Sequence, residues 1–218
     1  MKACGYDWLF LDLEHNSMDL DIAVQISVAA LGVGIAPIVR VPARQLWMAT
    51  RVLDGGALGI VMPHVDTPEE AKAIAAALRY PPQGHRSVAG GLPHLRYEKH
   101  PLAEICAAIN DATMVIVMLE TPLAIANADA IAAVPGIDSL LIGTNDLAME
   151  LGIPGGFGDE RIVAAYQAVV ARAVLPFWSV THSAPLASAT VSVSPSAVLS
   201  TTWPPGVDLI AASSAIRS

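Results

Sequence analysis

Short, largely apolar runs alternate along this chain with longer helix-like stretches, and that alternation restricts the fold more than any other feature. Runs at residues 7–11, 36–39, 59–62, 113–119 (TMVIVML) and 139–142 (SLLI) read as strands, and those at 113–119 and 139–142 as buried parallel ones. Residues 18–31, 43–53, 68–78, 101–110, 123–133 and 160–173 read as the helices between them. Strands that alternate with helices wrap a parallel sheet in helices, so the expected class is α/β. Local signals agree. Asp66-Thr67-Pro68-Glu69-Glu70 supplies a cap, a first-turn proline and acids at the positive end of the helix dipole, and Gly55-Gly56 stops the preceding helix.

Parallel α/β sheets carry their sites at the carboxyl ends of the strands, so the residues just past each apolar run are the first candidates for chemistry. Glu120 follows residues 113–119, and Asp146 lies just beyond residues 139–142. The first strand runs into Asp12-Leu13-Glu14-His15, and the second runs into Arg40. Carboxylates, a histidine and an arginine at neighbouring strand ends could form a metal site with a base and an anion clamp. Each residue has a plainer reading. Glu120 could be a first-turn helix acid before Thr121-Pro122, Asp146 an N-cap for the helix from Leu147, His15 a loop histidine, and Arg40 the partner of a neighbouring acid. Asp54, beside Gly55-Gly56, reads either as a polar helix end or as a group that orients His15. Two carboxylates at matching strand ends favour metal ligation over two separate caps. Glu14 reads as solvent-facing or as a neighbour of the site, and Arg86 as a residue at its mouth. His64, His85, His94, His100 and His182 read as surface or loop residues, and the methionines as core filler.

Composition removes several classes of function. With 218 residues, 54% hydrophobic and 15% charged, the chain can bury one domain or a large part of a barrel and is not a disordered segment. A net charge of −8 with no cluster of Lys and Arg argues against nucleic acid as a partner. Cys4 and Cys106 lie far apart without CxxC spacing, so free thiols in a reducing compartment are expected. Residues 22–39 form the longest uncharged stretch of the amino-terminal half, but Gln25, Gly32, Gly34 and Pro37 break it into helix, turn and strand rather than a membrane span. No secretory leader is recognisable, and the expected location is the cytoplasm.

Five motifs in order carry a family resemblance: Gly5-Tyr6-Asp7-Trp8-Leu9-Phe10-Leu11-Asp12-Leu13-Glu14-His15, Val39-Arg40-Val41-Pro42, Arg79-Tyr80-Pro81-Pro82-Gln83-Gly84-His85-Arg86, Leu119-Glu120-Thr121 and Ile142-Gly143-Thr144-Asn145-Asp146-Leu147. Together they resemble the HpcH/HpaI family of metal-dependent (class II) 2-oxo-acid aldolases over residues 5–173. The resemblance implies a (β/α)8 TIM barrel, often hexameric, that cleaves 4-hydroxy-2-oxo acids to pyruvate and an aldehyde and runs the reverse aldol addition. It further implies Glu120 and Asp146 as ligands of Mg2+, Mn2+ or Co2+, His15 as catalytic base, and Arg40 as the pyruvate-binding arginine. Asp12 and Asp54 are implied as the acids associated with the histidine, and Gly143, Asn145 and Asp146 as substrate-binding positions. A homo-oligomer, hexamer or trimer, is implied as well.

The chemistry fits those roles. Breaking a carbon–carbon bond beside a hydroxyl leaves electrons that an enolate must hold, and a divalent cation on the 2-oxo and carboxylate oxygens can hold them. Oxygen donors suit Mg2+, Mn2+ or Co2+. A histidine suits both halves of a proton transfer near neutral pH, and an arginine presents a planar fork to a carboxylate. Lys2, Lys72 and Lys99 fall outside the motifs, which argues against a Schiff base. Met118 stands where many relatives have glutamine, and Thr144-Asn145 where a Pro-Ala pair is common, so the aldehyde half of the substrate stays open. Two alternatives to a pyruvate aldolase remain: a lyase of the citrate-lyase-β or malyl-CoA type, and a catalytically compromised homologue.

A closed eight-stranded barrel typically takes about 250 residues, and the first apolar run lies almost at Met1. The expectation is a barrel core at residues 1–173 that lacks its first strand. An atypical segment comes next at residues 174–218, and residues 174–207 contain no Asp, Glu, Lys or Arg. Residues 208–213 could supply a last strand.

Overall fold

A computed structural model describes residues 1–173. The expected atypical segment at 174–218 and the strand suggested at 208–213 lie outside the described residues. Five strands form one parallel sheet in sequence order: β1 (Trp8–Asp12), β2 (Ala36–Arg40), β3 (Gly59–Met62), β4 (Met114–Leu119) and β5 (Ser139–Ile142). Neighbours in space are neighbours in sequence, with no reversal of strand order. That is the winding of a TIM-type barrel wall rather than of a doubly wound sheet. Among the described residues five of the eight expected strands are present, and β1 and β5 are the edges of the sheet.

Helices α1 (Leu20–Gly32), α2 (Leu46–Asp54), α3 (Pro68–Leu78), α4 (Leu102–Ala112), α5 (Pro122–Ala126), α6 (Ala128–Ala132), α7 (Thr144–Glu150) and α8 (Glu160–Ala173), with short 3-10 turns at Lys2–Cys4 and Pro93–Leu95, accompany the sheet. Alternate strand residues separate into two apolar clusters. Leu9, Leu11, Val39, Ile60, Met62, Val115, Val117 and Leu119 pack with helix residues such as Ala23, Val52, Leu53 and Ile74. Ile38, Val61, Met114, Ile116 and Met118 form the other cluster, with Trp8 and Leu141 against it. The period-two pleat therefore sends one row of side chains to the helical layer and the other to the inner face of the wall. Every residue of β4 is buried, as a strand covered on both faces requires.

The cap signals act as the sequence suggests. Thr67 accepts the amide of Glu70 at 3.2 Å, and the Glu70 carboxylate accepts the amides of Thr67 and Asp66, so α3 starts with a reciprocal box behind Pro68. Gly56 leaves α2 at φ +110, in a region that glycine enters without a steric penalty. Two helical stretches differ from expectation. The helix expected at 123–133 is broken at Asn127, whose side chain donates to the Asp66 carbonyl at 2.8 Å. Asp146 does not cap a helix; α7 already starts at Thr144 and Asp146 sits in its first turn.

The Arg79-Tyr80-Pro81-Pro82 motif organises the amino-terminal ends of the strands. Arg79 is buried and donates to the carbonyls of Asn110, Thr113 and Gly136 and to the Asp138 carboxylate, which also accepts the Val115 amide. Asn110 pairs with the Tyr80 backbone through both ends of its amide, at 2.8 and 3.0 Å. This network ties the entry of β4 to the entry of β5, and leaves the opposite rim to the loops that carry the site.

Candidate metal centre

Glu120 extends β4 by one residue, and Gly143 extends β5 by one. Leu119 is in register with Ile142, so Glu120 and Gly143 lie side by side at the rim. The Glu120 side chain is turned inward and is almost completely buried, at 1% exposure. It fits there because Gly143 has no side chain: a Cβ at that position would lie 2.4 Å from Glu120 Oε1 and 2.5 Å from its Cγ. On its other side, the His64 amide donates to Glu120 Oε2 at 2.6 Å, and His64 Nδ1 lies 3.3 Å from the same oxygen. His64 makes this double approach with its backbone in the left-handed region, at φ +53. Burial pushes the Glu120 carboxyl up; the His64 amide and ring oppose that shift, while Asp146 and Glu14 add to it.

Asp146 enters from the first turn of α7. Donor atoms of His64, Glu120 and Asp146 lie within 4.8 Å of one another, a spacing that one divalent cation can bridge. His64, expected to be an ordinary loop histidine, is therefore part of the cluster. A signal for it was available: His64 follows β3 directly after Pro63, the same kind of strand-end position that makes Glu120 a candidate.

Across the rim, β1 and β2 present Asp12 and Arg40 in register. Arg40 Nε donates to Asp12 Oδ1 at 2.9 Å and Nη2 to Oδ2 at 2.5 Å, so one edge of the guanidinium is filled by Asp12. Nη1 lies 3.3 Å from Glu14 Oε2 and 4.0 Å from Met118 Sδ. The Arg40 hydrogen bonds hold the Asp12 carboxyl below the usual carboxylate range. Asp12 also accepts the Glu14 amide at 2.9 Å, which shapes the turn that carries His15. Asp12 thus acts on the loop backbone and on Arg40.

His15 stands at the rim with its side chain 62% exposed, and its Nε2 is 3.8 Å from Glu14 Oε2. Glu14, for which a solvent-facing position was one reading, is instead 10% exposed at its side chain and lies between His15 and Arg40. Asn145 is exposed at the start of α7.

Asp54 has a partner of its own in the fold. It ends α2 where the chain turns back to enter β3, and its Oδ1 accepts Arg86 Nη2 at 2.6 Å. It borders a groove with Asp19, Asp21 and Arg51. This contact holds Asp54 against the buried Arg86. Arg86, read as a residue of the site mouth, is buried at the amino-terminal side of the wall, with its guanidinium 4.6 Å from the centre of the Tyr80 ring. His94, read as a surface or loop residue, is also buried, with Nε2 3.0 Å from the Ala57 carbonyl; burial lowers its pKa.

Among the described residues the carboxylates of Asp12, Glu14, Glu120 and Asp146 thus gather near the guanidinium of Arg40. An acidic metabolite would be repelled by this arrangement unless a cation shared the site. The donor set, one imidazole and two carboxylates, is chemically suited to a divalent ion.

The chain is similar in sequence and fold to known proteins. Residues 1–175 match the sequence profile of the family described as HpcH/HpaI aldolase/citrate lyase. The 4-hydroxy-4-methyl-2-oxoglutarate aldolase of Hapsidospora irregularis is 44% identical over 174 residues, which are 78% of this chain and 64% of that protein. The 5-keto-4-deoxy-D-glucarate aldolase of Salmonella paratyphi A is 36% identical over 173 residues, 79% of this chain and 67% of that protein. Among solved structures, the HpcH/HpaI aldolase of Desulfitobacterium hafniense superimposes with a TM-score of 0.75 at 28% identity, over 78% of this chain and 66% of that one. The chain thus spans a little under two thirds of the length of the first of these relatives. Among the described residues no helix is long and apolar enough to cross a membrane.

Proposed function

The chain belongs to the HpcH/HpaI aldolase/citrate lyase family, and from that premise we propose that it is a metal-dependent aldolase cleaving a 4-hydroxy-2-oxo acid to pyruvate and an aldehyde. One observation carries the reading. A buried carboxylate, Glu120, is held beside Asp146 at the carboxyl ends of adjacent strands, with Asp12, Glu14 and Arg40 on the same rim.

Glu120 and Asp146 are the ligands of this proposal, with Mg2+, Mn2+ or Co2+ as the ion. When bound, the ion supplies a Lewis acid for the electrons released as the carbon–carbon bond breaks. The residues of the chain do the rest. Gly143 keeps the space that Glu120 needs, and the His64 amide fixes the direction of its carboxylate. Arg40 recognises the substrate carboxylate through the part of its fork that Asp12 leaves open, on the side of Nη1 and Met118. His15, exposed at the rim, takes the proton of the 4-hydroxyl during cleavage and returns it during addition. Glu14 lies near both His15 and Arg40, and its carboxylate favours the charged guanidinium of Arg40. Asn145, at the mouth of the site, is placed in contact with substrate by the same proposal, which also includes assembly as a homo-oligomer, trimer or hexamer, and a cytoplasmic location.

The test is pyruvate release from 4-hydroxy-2-oxo acids with and without EDTA, in the wild type, Glu120→Gln and Asp146→Asn. Activity is expected to require added divalent ion and to vanish in both variants while their circular dichroism stays native. Full turnover in EDTA, or in either variant, would refute the metal assignment, and absence of turnover under every condition would refute the aldolase.

A further inference from the structure

We infer that His64 is a third protein ligand of the cation, and that its imidazole turns the site toward Mn2+, Co2+ or Zn2+ and away from Mg2+ and Ca2+. The inference rests on the metal reading above and adds to it the choice of ion.

Three observations point there. The ring and the amide of His64 converge on one oxygen, with Nδ1 at 3.3 Å and N at 2.6 Å from Glu120 Oε2. Nδ1 and the carboxylates of Glu120 and Asp146 stand within one cation's reach of each other. His64 also holds a backbone conformation, φ +53, that non-glycine residues seldom adopt and that persists where surrounding structure enforces it. In this conformation one residue supplies both a donor that steers the carboxylate and a ring beside it.

Donor chemistry sets the consequence for selectivity. Two carboxylates alone form an all-oxygen set suited to hard ions such as Mg2+ and Ca2+. Adding an imidazole nitrogen favours later first-row ions, because borderline nitrogen donors bind them more strongly and Mg2+ gains little from nitrogen. The ring is partly exposed, at 43% of its side-chain area, so it can reach an ion arriving from solvent.

The experiment measures binding rather than turnover. Dissociation constants for Mn2+ and Mg2+ are determined on the full chain by titration calorimetry, for the wild type, His64→Ala, His64→Asn and Glu120→Gln. His64→Asn keeps a residue tolerant of the left-handed region, so it separates loss of the imidazole from collapse of the turn. In both His64 variants Mn2+ affinity is expected to fall about 10- to 100-fold, with a much smaller change for Mg2+, so that the Mn2+/Mg2+ preference narrows. Electron spin-echo spectra of the Mn2+-loaded wild type and His15→Ala should show coupling to an imidazole nitrogen, and those of His64→Asn should not. Equal losses for the two ions, or nitrogen coupling that survives in His64→Asn, overturn the inference and leave His64 as a support for Glu120. Wild-type affinity in Glu120→Gln would instead overturn the metal reading itself.

Discussion

Gly143→Ala tests the site with the smallest possible change. The glycine backbone lies at φ −84, which alanine adopts freely, so the substitution acts only through the added methyl. That Cβ would lie 2.4 Å from Glu120 Oε1, 2.5 Å from Cγ and 2.8 Å from Cδ. Restoring ordinary contact requires the carboxylate to move by roughly 1 Å. Glu120 has little room to move, being enclosed on all sides and held by the His64 amide. If it swings away, it forfeits a hydrogen bond to a charged group that is worth about 1.5–3 kcal/mol. If it stays, the overpacked wall loses about 1–3 kcal/mol in stability. A ligand displaced by this much should lower cation affinity by about 10- to 100-fold. Titration calorimetry with Mn2+ and urea unfolding of the same preparation measure both effects. Gly32→Ala is the control, because nothing lies within 4 Å of its added Cβ and its backbone is compatible with alanine. Mn2+ affinity in Gly143→Ala within about twofold of the wild type would refute the clearance argument.

Arg40→Ala should weaken binding of pyruvate or an oxo acid by about 2–5 kcal/mol, measured by inhibition with pyruvate; unchanged affinity would remove Arg40 from the site. His15→Ala should slow aldol cleavage by about 10²- to 10⁴-fold but spare metal-driven decarboxylation of oxaloacetate, which requires no proton abstraction from a 4-hydroxyl; equal losses would make His15 structural. Arg79→Met should cost about 3–5 kcal/mol in urea unfolding, since it removes the guanidinium donor from three backbone carbonyls and takes away the cationic partner of Asp138; a cost below about 1 kcal/mol would contradict the network. Because Arg40 depresses the Asp12 carboxyl, the pair contributes its full stability above the ordinary Asp range, near pH 4, and loses it as pH falls through the lower folded value. Urea midpoints from pH 2 to 6 should therefore fall on acidification less steeply in Asp12→Asn than in the wild type.

Much of the architecture was legible in the sequence because it depends on local patterns. Continuous apolar runs such as Met114–Leu119 mark strands covered on both faces, and Thr67-Pro68-Glu69-Glu70 carries its own helix cap. The candidate ligands Glu120 and Asp146 were visible for the same reason, since a strand end can be read from the residues that precede it. Contacts between distant positions were not legible. Glu120 meets His64 across 56 positions, and whether an imidazole reaches it depends on the backbone angle of His64, which no composition or periodicity encodes. Asp54 illustrates the reverse. Its type suited a partner for His15, and nothing in the sequence signals that the fold ends α2 beside the loop that carries Arg86, whose buried guanidinium meets the Asp54 carboxylate. Gly143 belongs with His64: a glycine after a strand reads as a turn, and only the register of β4 against β5 shows that its missing side chain is the space occupied by Glu120. Local periodicity thus determines which residues arrive at the rim, while strand register and loop angles, products of the packed whole, decide which of them touch.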